Sequence, residues 1–209
     1  MSTTDLAQRL GDACYVFLAL NFLWGLYCVI VVQRRLAQLR FRNDDAEEAF
    51  VQEVQEHLKH RQYDDVVKLC DYEFRALPRL CLLMMANRHL AYAQLRQVIS
   101  KNLQRSFLAD LEYRLSWIVT VIKSGPLLGL FGTVLGMMAA FGRIGTGEKI
   151  QPSQIADEIS IALICTAMGL ATAIPLGYIL SSLTIRMRRL QESLEASLPQ
   201  ILEHFRNRA

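Results

Sequence analysis

Thr133 and Thr166 are hydroxyls set in otherwise apolar, glycine-rich runs, and that setting limits their chemistry. Thr133 lies in GPLLGLFGTVLGMMAAF (125–141) and Thr166 in ALICTAMGLATAIP (162–175). A hydroxyl does not titrate near neutral pH, but it donates one hydrogen bond and accepts two. In an apolar helix it has two uses. It can bond a carbonyl one turn back along its own helix, or it can face a shared lumen and help hydrate a proton acceptor. Residue type leaves both open. Neither run contains an acid. Asp157 and Glu158 stand at one mouth of the later apolar run, and Lys123 near the opposite end of the earlier one. If protons pass here, the titrating carboxylate must come from another chain.

Other reactive residue types offer less. His57 and His60 are three apart and could meet on one metal, but no carboxylate or thiol is placed to complete the set. A solvated face is expected, with no metal site. His89 and His204 are isolated. The five cysteines, Cys14, Cys28, Cys70, Cys81 and Cys165, form no CxxC pair and fit no zinc spacing. They are expected to be small buried hydrophobes. An enzyme working through Cys70 or His57 would need a site that no motif supplies. There is no nucleophile elbow, phosphate loop or dinucleotide fingerprint, so neither enzymatic activity nor a cofactor is expected. Gly129, Gly132 and Gly136 lie inside an apolar run, where Gly132-x-x-x-Gly136 lets helix backbones approach. Gly169, Ala173 and Gly177 repeat that spacing in the later run. With Pro126 and Pro175 these are the predicted helix-packing residues.

The elements that must position these groups follow from composition. Of 209 residues, 52% are hydrophobic, yet 21% are charged, so the apolar residues must be segregated. A net charge of +3 without a basic face argues against nucleic acid as a partner. The predicted fold class is all-α: a polytopic membrane protein with three transmembrane helices and cytoplasmic helical extensions. The first span is 13–33, about the length that crosses a hydrocarbon core. It lacks a cleavage site and ends in Gln33-Arg34-Arg35, so it reads as a retained helix rather than a signal peptide. The second span is 116–142 and the third 155–184. A polar hairpin, 143–154, joins them.

Orientation follows the arginines. Arg34, Arg35, Arg40 and Arg42 follow the first span, Arg105 and Arg114 precede the second, and Arg186, Arg188 and Arg189 follow the third. Three passes put all of them on one side, which should be the cytoplasm. Residues 1–12 and the hairpin are then periplasmic, and 34–115 and 185–209 cytoplasmic. Within 34–115 the pattern predicts helices over 44–60, 63–76 and 78–100. Phe50, Val54 and Leu58 form one face, Asp44 and Asp45 act as N-terminal caps, and Pro78 opens a helix. The tail carries Leu190, Leu194, Leu198, Ile201, Leu202 and Phe205 on one stripe, too regular to leave in water. It is expected to continue the third span and pack on a neighbouring subunit, with Pro199 marking a kink.

The segments LEYRLSWIVTVIKSGPLLGLFGTVLGMMAAF (111–141) and ISIALICTAMGLATAIP (159–175) resemble the second and third membrane helices of the ExbB/TolQ/MotA proton-channel family. The three-span layout is similar to the ExbB and TolQ branch. The resemblance implies a homo-oligomer, a pentamer, ringing the single membrane helices of ExbD- or TolR-like partner chains in the bacterial inner membrane. The partner supplies the aspartate that binds and releases protons, and it passes force to a TonB- or TolA-like protein. Thr133 and Thr166 match the family's two pore threonines. Some ExbB and TolQ members carry a glutamate five residues before the third-helix threonine. Here that position is Ile161, and Glu158 lies nearly one turn earlier. A non-conducting scaffold that holds partner helices is the alternative that this departure favours.

Overall fold

Long apolar runs without a breaker have one way to satisfy their backbone away from water, and that is to stay helical. The computed structural model describes residues 3–41, 43–71, 73–145 and 151–206, and no strand occurs among them. The helices are α1 (Thr3–Leu39), α2 (Asp44–Lys59), α3 (Tyr63–Asp71), α4 (Ala76–Ala86), α5 (Tyr92–Asn102), α6 (Ala109–Gly145) and α7 (Pro152–Arg206). A π-helical turn, Leu103–Leu108, joins α5 to α6. Three helices are long and apolar enough to cross a membrane, as the fold class predicted. The chain divides into two compact units, Met1–Ile30 with Leu115–Ser182, and Val31–Arg114 with Leu183–Ala209.

The first unit holds the apolar parts of α1, α6 and α7. Its large side chains point outward: Phe17, Leu23, Leu127, Phe131, Ile164 and Ile174 are all exposed. A water-soluble protein does not display apolar surface on this scale, whereas lipid is a suitable solvent for it. Its interior mixes small residues with a few large ones, Ile118 and Leu176 among them. Cys14, Leu18, Leu135 and Cys165 form a buried cluster flanked by Tyr15 and Leu128. Trp24 packs edge-on against Trp117, with ring centroids 6.3 Å apart. Pro126 sits inside α6 without ending it.

The second unit has a conventional core. Phe50, Val54 and Leu58 are buried as the spacing predicts, and Phe41 packs on Phe50 at 5.5 Å. The tail stripe from Leu190 to Phe205 is buried too, but within the same chain rather than on a neighbouring subunit. Glu47 of α2 shows why, because it accepts hydrogen bonds from Ser193 and Ser197, the latter at 3.0 Å. α2 thus meets α7 at Ser193 and Ser197, beside the stripe. Glu47 therefore does more than complement the start of its helix, since it is a 7% exposed carboxylate held by two hydroxyls. Arg35 and Arg114 share Asp110, at 3.9 and 3.1 Å.

Several local expectations change. The helix predicted over 63–76 ends at Asp71, and α4 opens at Ala76, so Pro78 lies in its first turn without opening it. The cap of α2 is Asn43, in extended conformation, and Asp44 is the first helical residue. The predicted helix over 78–100 breaks after Ala86, where Asn87 turns its amide back to the Leu83 carbonyl at 2.9 Å and ends α4. The predicted hairpin 143–154 is shorter, because α6 runs to Gly145 and α7 starts at Pro152. Residues 146–150 lie outside the described residues.

Removing a buried acceptor strands its donors, at about 1–3 kcal/mol. Glu47→Ala should destabilise the detergent-solubilised chain by about that much, seen as a lower thermal midpoint, and Glu47→Gln, which keeps an acceptor oxygen, by less. Equal midpoints for Glu47→Ala and the parent chain would show that the two serines are satisfied without it.

Candidate functional site

Helix–helix distance governs everything at this site, and glycine sets it. A Cβ at Gly129 would stand 2.8 Å from the Cys165 carbonyl oxygen and 2.9 Å from the Thr166 Cα. At Gly169 it would stand 2.6 Å from the Gly125 carbonyl oxygen, and at Gly136 2.6 Å from the Ala162 Cβ. At Gly132 it would meet the Cys165 sulfur at 2.5 Å. Four predicted packing glycines therefore lie where α6 meets α7, Gly129 and Gly169 against backbone and Gly132 and Gly136 against the small side chains of Cys165 and Ala162. Pro126 joins them, with its Cα 3.3 Å from where a Gly169 Cβ would sit. Gly177 faces open space, and Pro175 is exposed in the single chain. The small-residue spacing continues past the contact that uses it.

This approach brings the two threonines together. Thr133, 6% exposed, and Thr166 are in direct hydroxyl–hydroxyl contact. The Thr133 hydroxyl also lies 3.1 Å from the Gly129 carbonyl one turn back and 3.0 Å from the Ala162 carbonyl across the interface. The Thr166 hydroxyl reaches the same Gly129 carbonyl at 3.1 Å. Thr133 thus keeps the local back-bond, whereas Thr166 bonds only across helices among its described contacts. Each hydroxyl has one proton to donate. Two orders satisfy the contact between them. Thr133 can donate to Thr166, which donates to Gly129, or Thr166 can donate to Thr133, which donates to Ala162 or, one turn back, to Gly129.

A second polar group, not singled out from the sequence, holds α1 to α6. The Asn21 amide donates to the Val121 carbonyl at 3.3 Å and accepts from the Ser124 hydroxyl at 3.0 Å. Beside it, the Thr172 hydroxyl bonds the Gly169 carbonyl at 2.8 Å. Tyr15 of α1 donates to the Ile161 carbonyl at 2.7 Å. The available signal was Asn21 itself, an amide in the middle of an apolar run.

Glu158, an expected outer-mouth acid, is ion-paired with Arg143 at the far end of α6. Asp157 is exposed next to it. Ile161 is 55% exposed on the outer face of α7. His57 bonds Gln62 at 3.0 Å. Cys70 and Cys81 are fully buried in the second unit, where the hydrogen bond that the Cys81 thiol donates to Cys70, together with burial, pushes that thiol well above its ordinary range. A neutral, enclosed thiol is a poor nucleophile.

Residues 75–196 match the model of the MotA/TolQ/ExbB proton channel family. The chain is similar to the Tol-Pal system protein TolQ of Haemophilus influenzae, 36% identical over 83 residues, covering 40% of this chain and 36% of the relative. It is 38% identical over 65 residues to a putative biopolymer transport protein, ExbB-like 2, of Helicobacter pylori, covering 31% of this chain and 43% of that one. It is 43% identical over 65 residues to TolQ of Pseudomonas aeruginosa, covering 31% and 28%. The matched stretch is thus less than half the length of each of these relatives.

Overpacking a tight backbone contact costs about 1–3 kcal/mol. Gly129→Ala and Gly169→Ala should each lower the thermal midpoint of the solubilised chain accordingly, while Gly177→Ala leaves it unchanged. Equal effects at all three positions would mean that the α6–α7 contact is looser than described.

Proposed function

The chain belongs to the MotA/TolQ/ExbB proton channel family, a family of multi-pass membrane channels rather than enzymes, and from that premise we propose that it is a ring subunit of a proton-driven motor in the bacterial inner membrane. Its N-terminus and the 143–154 connection are periplasmic, and 34–115 and 185–209 are cytoplasmic. Several copies, a pentamer, surround the single membrane helices of an ExbD- or TolR-like partner. That partner transmits force to a TonB- or TolA-like protein.

The observation that carries this reading is the Thr133–Thr166 hydroxyl pair, joined to the Gly129 and Ala162 carbonyls. It is a polar spot in a stretch where 116–142 and 159–184 contain no Asp, Glu or His. The pair can relay a hydrogen bond but neither takes up nor releases a proton near neutral pH. A partner carboxylate supplies the charge. It is ionised where it faces a hydrated hydroxyl-lined path and neutral where it passes apolar surface, because a charge in hydrocarbon costs several kcal/mol. Protonation state then selects which position of the partner is stable. The membrane potential contributes about 2.3 kcal/mol per charge per 100 mV, so work accumulates over repeated steps. Glu158 is occupied by Arg143 and is not the titrating group in this scheme.

A second reading, a non-conducting scaffold that holds partner helices, draws on Ile161. The side chain at that position is apolar and faces outward, where the resemblance places an acid in some relatives. Proton uptake by vesicles holding the chain with its partner, compared with the chain alone, separates the two readings. Uptake that needs both chains supports the motor.

Thr133→Val and Thr166→Val preserve shape and remove the hydroxyl. Each should leave membrane assembly intact and cut gradient-driven work by tenfold or more, on the order of what one lost catalytic hydrogen bond costs, while Thr→Ser at either position restores it. Undiminished work in both valine variants would reduce the threonines to packing residues. Glu158→Gln should keep gradient-driven work within about twofold, since an ion pair this exposed is worth about 0–1 kcal/mol. A collapse of proton uptake in that variant would instead place the titrating carboxylate in this chain.

A further inference from the structure

Just past the ends of two apolar runs, three arginines from different elements converge on one cleft. Arg40 follows α1, Arg75 precedes the first turn of α4, and Arg186 lies on α7. With Gln33, Leu36 and Phe41 they line a space of about 480 Å³, wholly inside the second unit. No aspartate or glutamate is among its described lining residues, although Arg40 has a further contact of its own and also lines an adjacent space with Glu47 and Glu48. The nearest acid to Arg75 is Glu73, 3.1 Å from one guanidinium nitrogen. A guanidinium carries five N–H donors, so that bond does not exhaust it. The flat face of Arg75 rests on the Phe41 ring, 4.5 Å from its centroid, which fixes the direction of its fork.

The cleft is cationic at its rim and apolar on one wall, where Leu36 and Phe41 are buried side chains. A free anion would use only the rim. Position along the chain points to a ligand that uses both. Leu36 lies three residues beyond the first span and Arg186 two beyond the third. At the helical rise these are within about 5 Å of the ends of the apolar runs, the depth of a headgroup layer. Arginine stems can cover the remaining distance. Basic pockets at this level suit phosphate headgroups.

We propose that this cleft binds the phosphate of an anionic glycerophospholipid. Arg40, Arg75 and Arg186 hold the phosphate, and Leu36 and Phe41 meet the glycerol and the first acyl carbons. A lipid held there ties the end of α1, the start of α4 and the middle of α7 to one headgroup. The inference rests on the chain spanning a membrane and is independent of the motor reading.

The test uses the full chain, solubilised from vesicles of phosphatidylcholine and phosphatidylglycerol in equal amounts, with retained lipid counted by native mass spectrometry. Phosphatidylglycerol should be retained in preference to phosphatidylcholine. Arg186→Gln should weaken that retention about fivefold, and the Arg40→Gln/Arg186→Gln double variant about 25-fold, following the usual contribution of one arginine near a membrane surface. Arg96→Gln, the same charge change on an exposed position of α5, should leave retention unchanged. Arg186 is exposed, so its variant should keep the parent's thermal midpoint in lipid-free detergent. Arg186→Lys, which keeps the charge without the fork, should lose less than Arg186→Gln. Equal retention of the two lipids, or equal loss in Arg96→Gln, would overturn the proposal. Displacement of the lipid by inorganic phosphate at the lipid's own concentration would also overturn it, in favour of a soluble anion.

Discussion

The backbone contact between α6 and α7 is the constraint on which the first unit depends. Gly129, Gly132, Gly136 and Gly169 let the two helices meet at distances that any side chain would forbid. In lipid there is no hydrophobic force to hold helices together, so contact area and hydrogen bonds must do it. Close approach supplies both. It also exposes carbonyls of one helix to donors on the other, which is how the Gly129 carbonyl comes to serve hydroxyls on two helices. A wider spacing would leave Thr166 without that acceptor.

The same rule extends outward from this contact. Among the described residues no buried side-chain nitrogen or oxygen lacks a hydrogen-bond partner. Asn21 reaches Val121 and Ser124, Tyr15 reaches Ile161, and Thr172 reaches Gly169. Apolar side chains are left to face outward, because lipid accepts them without penalty. The second unit inverts this arrangement. Its leucines and phenylalanines turn inward, and its buried carboxylate, Glu47, is held by two serines. One chain thus follows two solvent rules, and the arginines near the ends of its apolar runs mark where the rules change.

Much of this is legible from residue order. Apolar runs of sufficient length foretell α1, α6 and α7, and the spacing of Phe50, Val54 and Leu58 foretells the buried face of α2. The stripe from Leu190 to Phe205 announces burial, but not by what. Glu47 of α2 reaches α7 beside it through contacts distant in sequence, which a periodic pattern cannot encode. The glycine spacing finds the right face of α6 and then overshoots on α7, since Gly177 and Pro175 carry the same signature without a neighbour in the single chain. The meeting of Thr133 with Thr166 depends on the relative register of two helices and lies beyond any reading of either. Glu158 looked available because its partner, Arg143, was assigned to a loop, whereas it belongs to the last turns of α6. Asn21 was visible throughout and was passed over among its aliphatic neighbours.

The two hydrogen-bond orders open to the threonine pair have a consequence of their own. Both are complete, both are uncharged, and they differ only in which way the O–H dipoles point. Passing from one to the other turns the two hydroxyls about their C–O bonds and leaves every heavy atom in place. The pair is therefore a small polarity switch that a nearby electric charge can set in either direction, and it can follow an approaching or departing ion without any rearrangement of the helices that carry it.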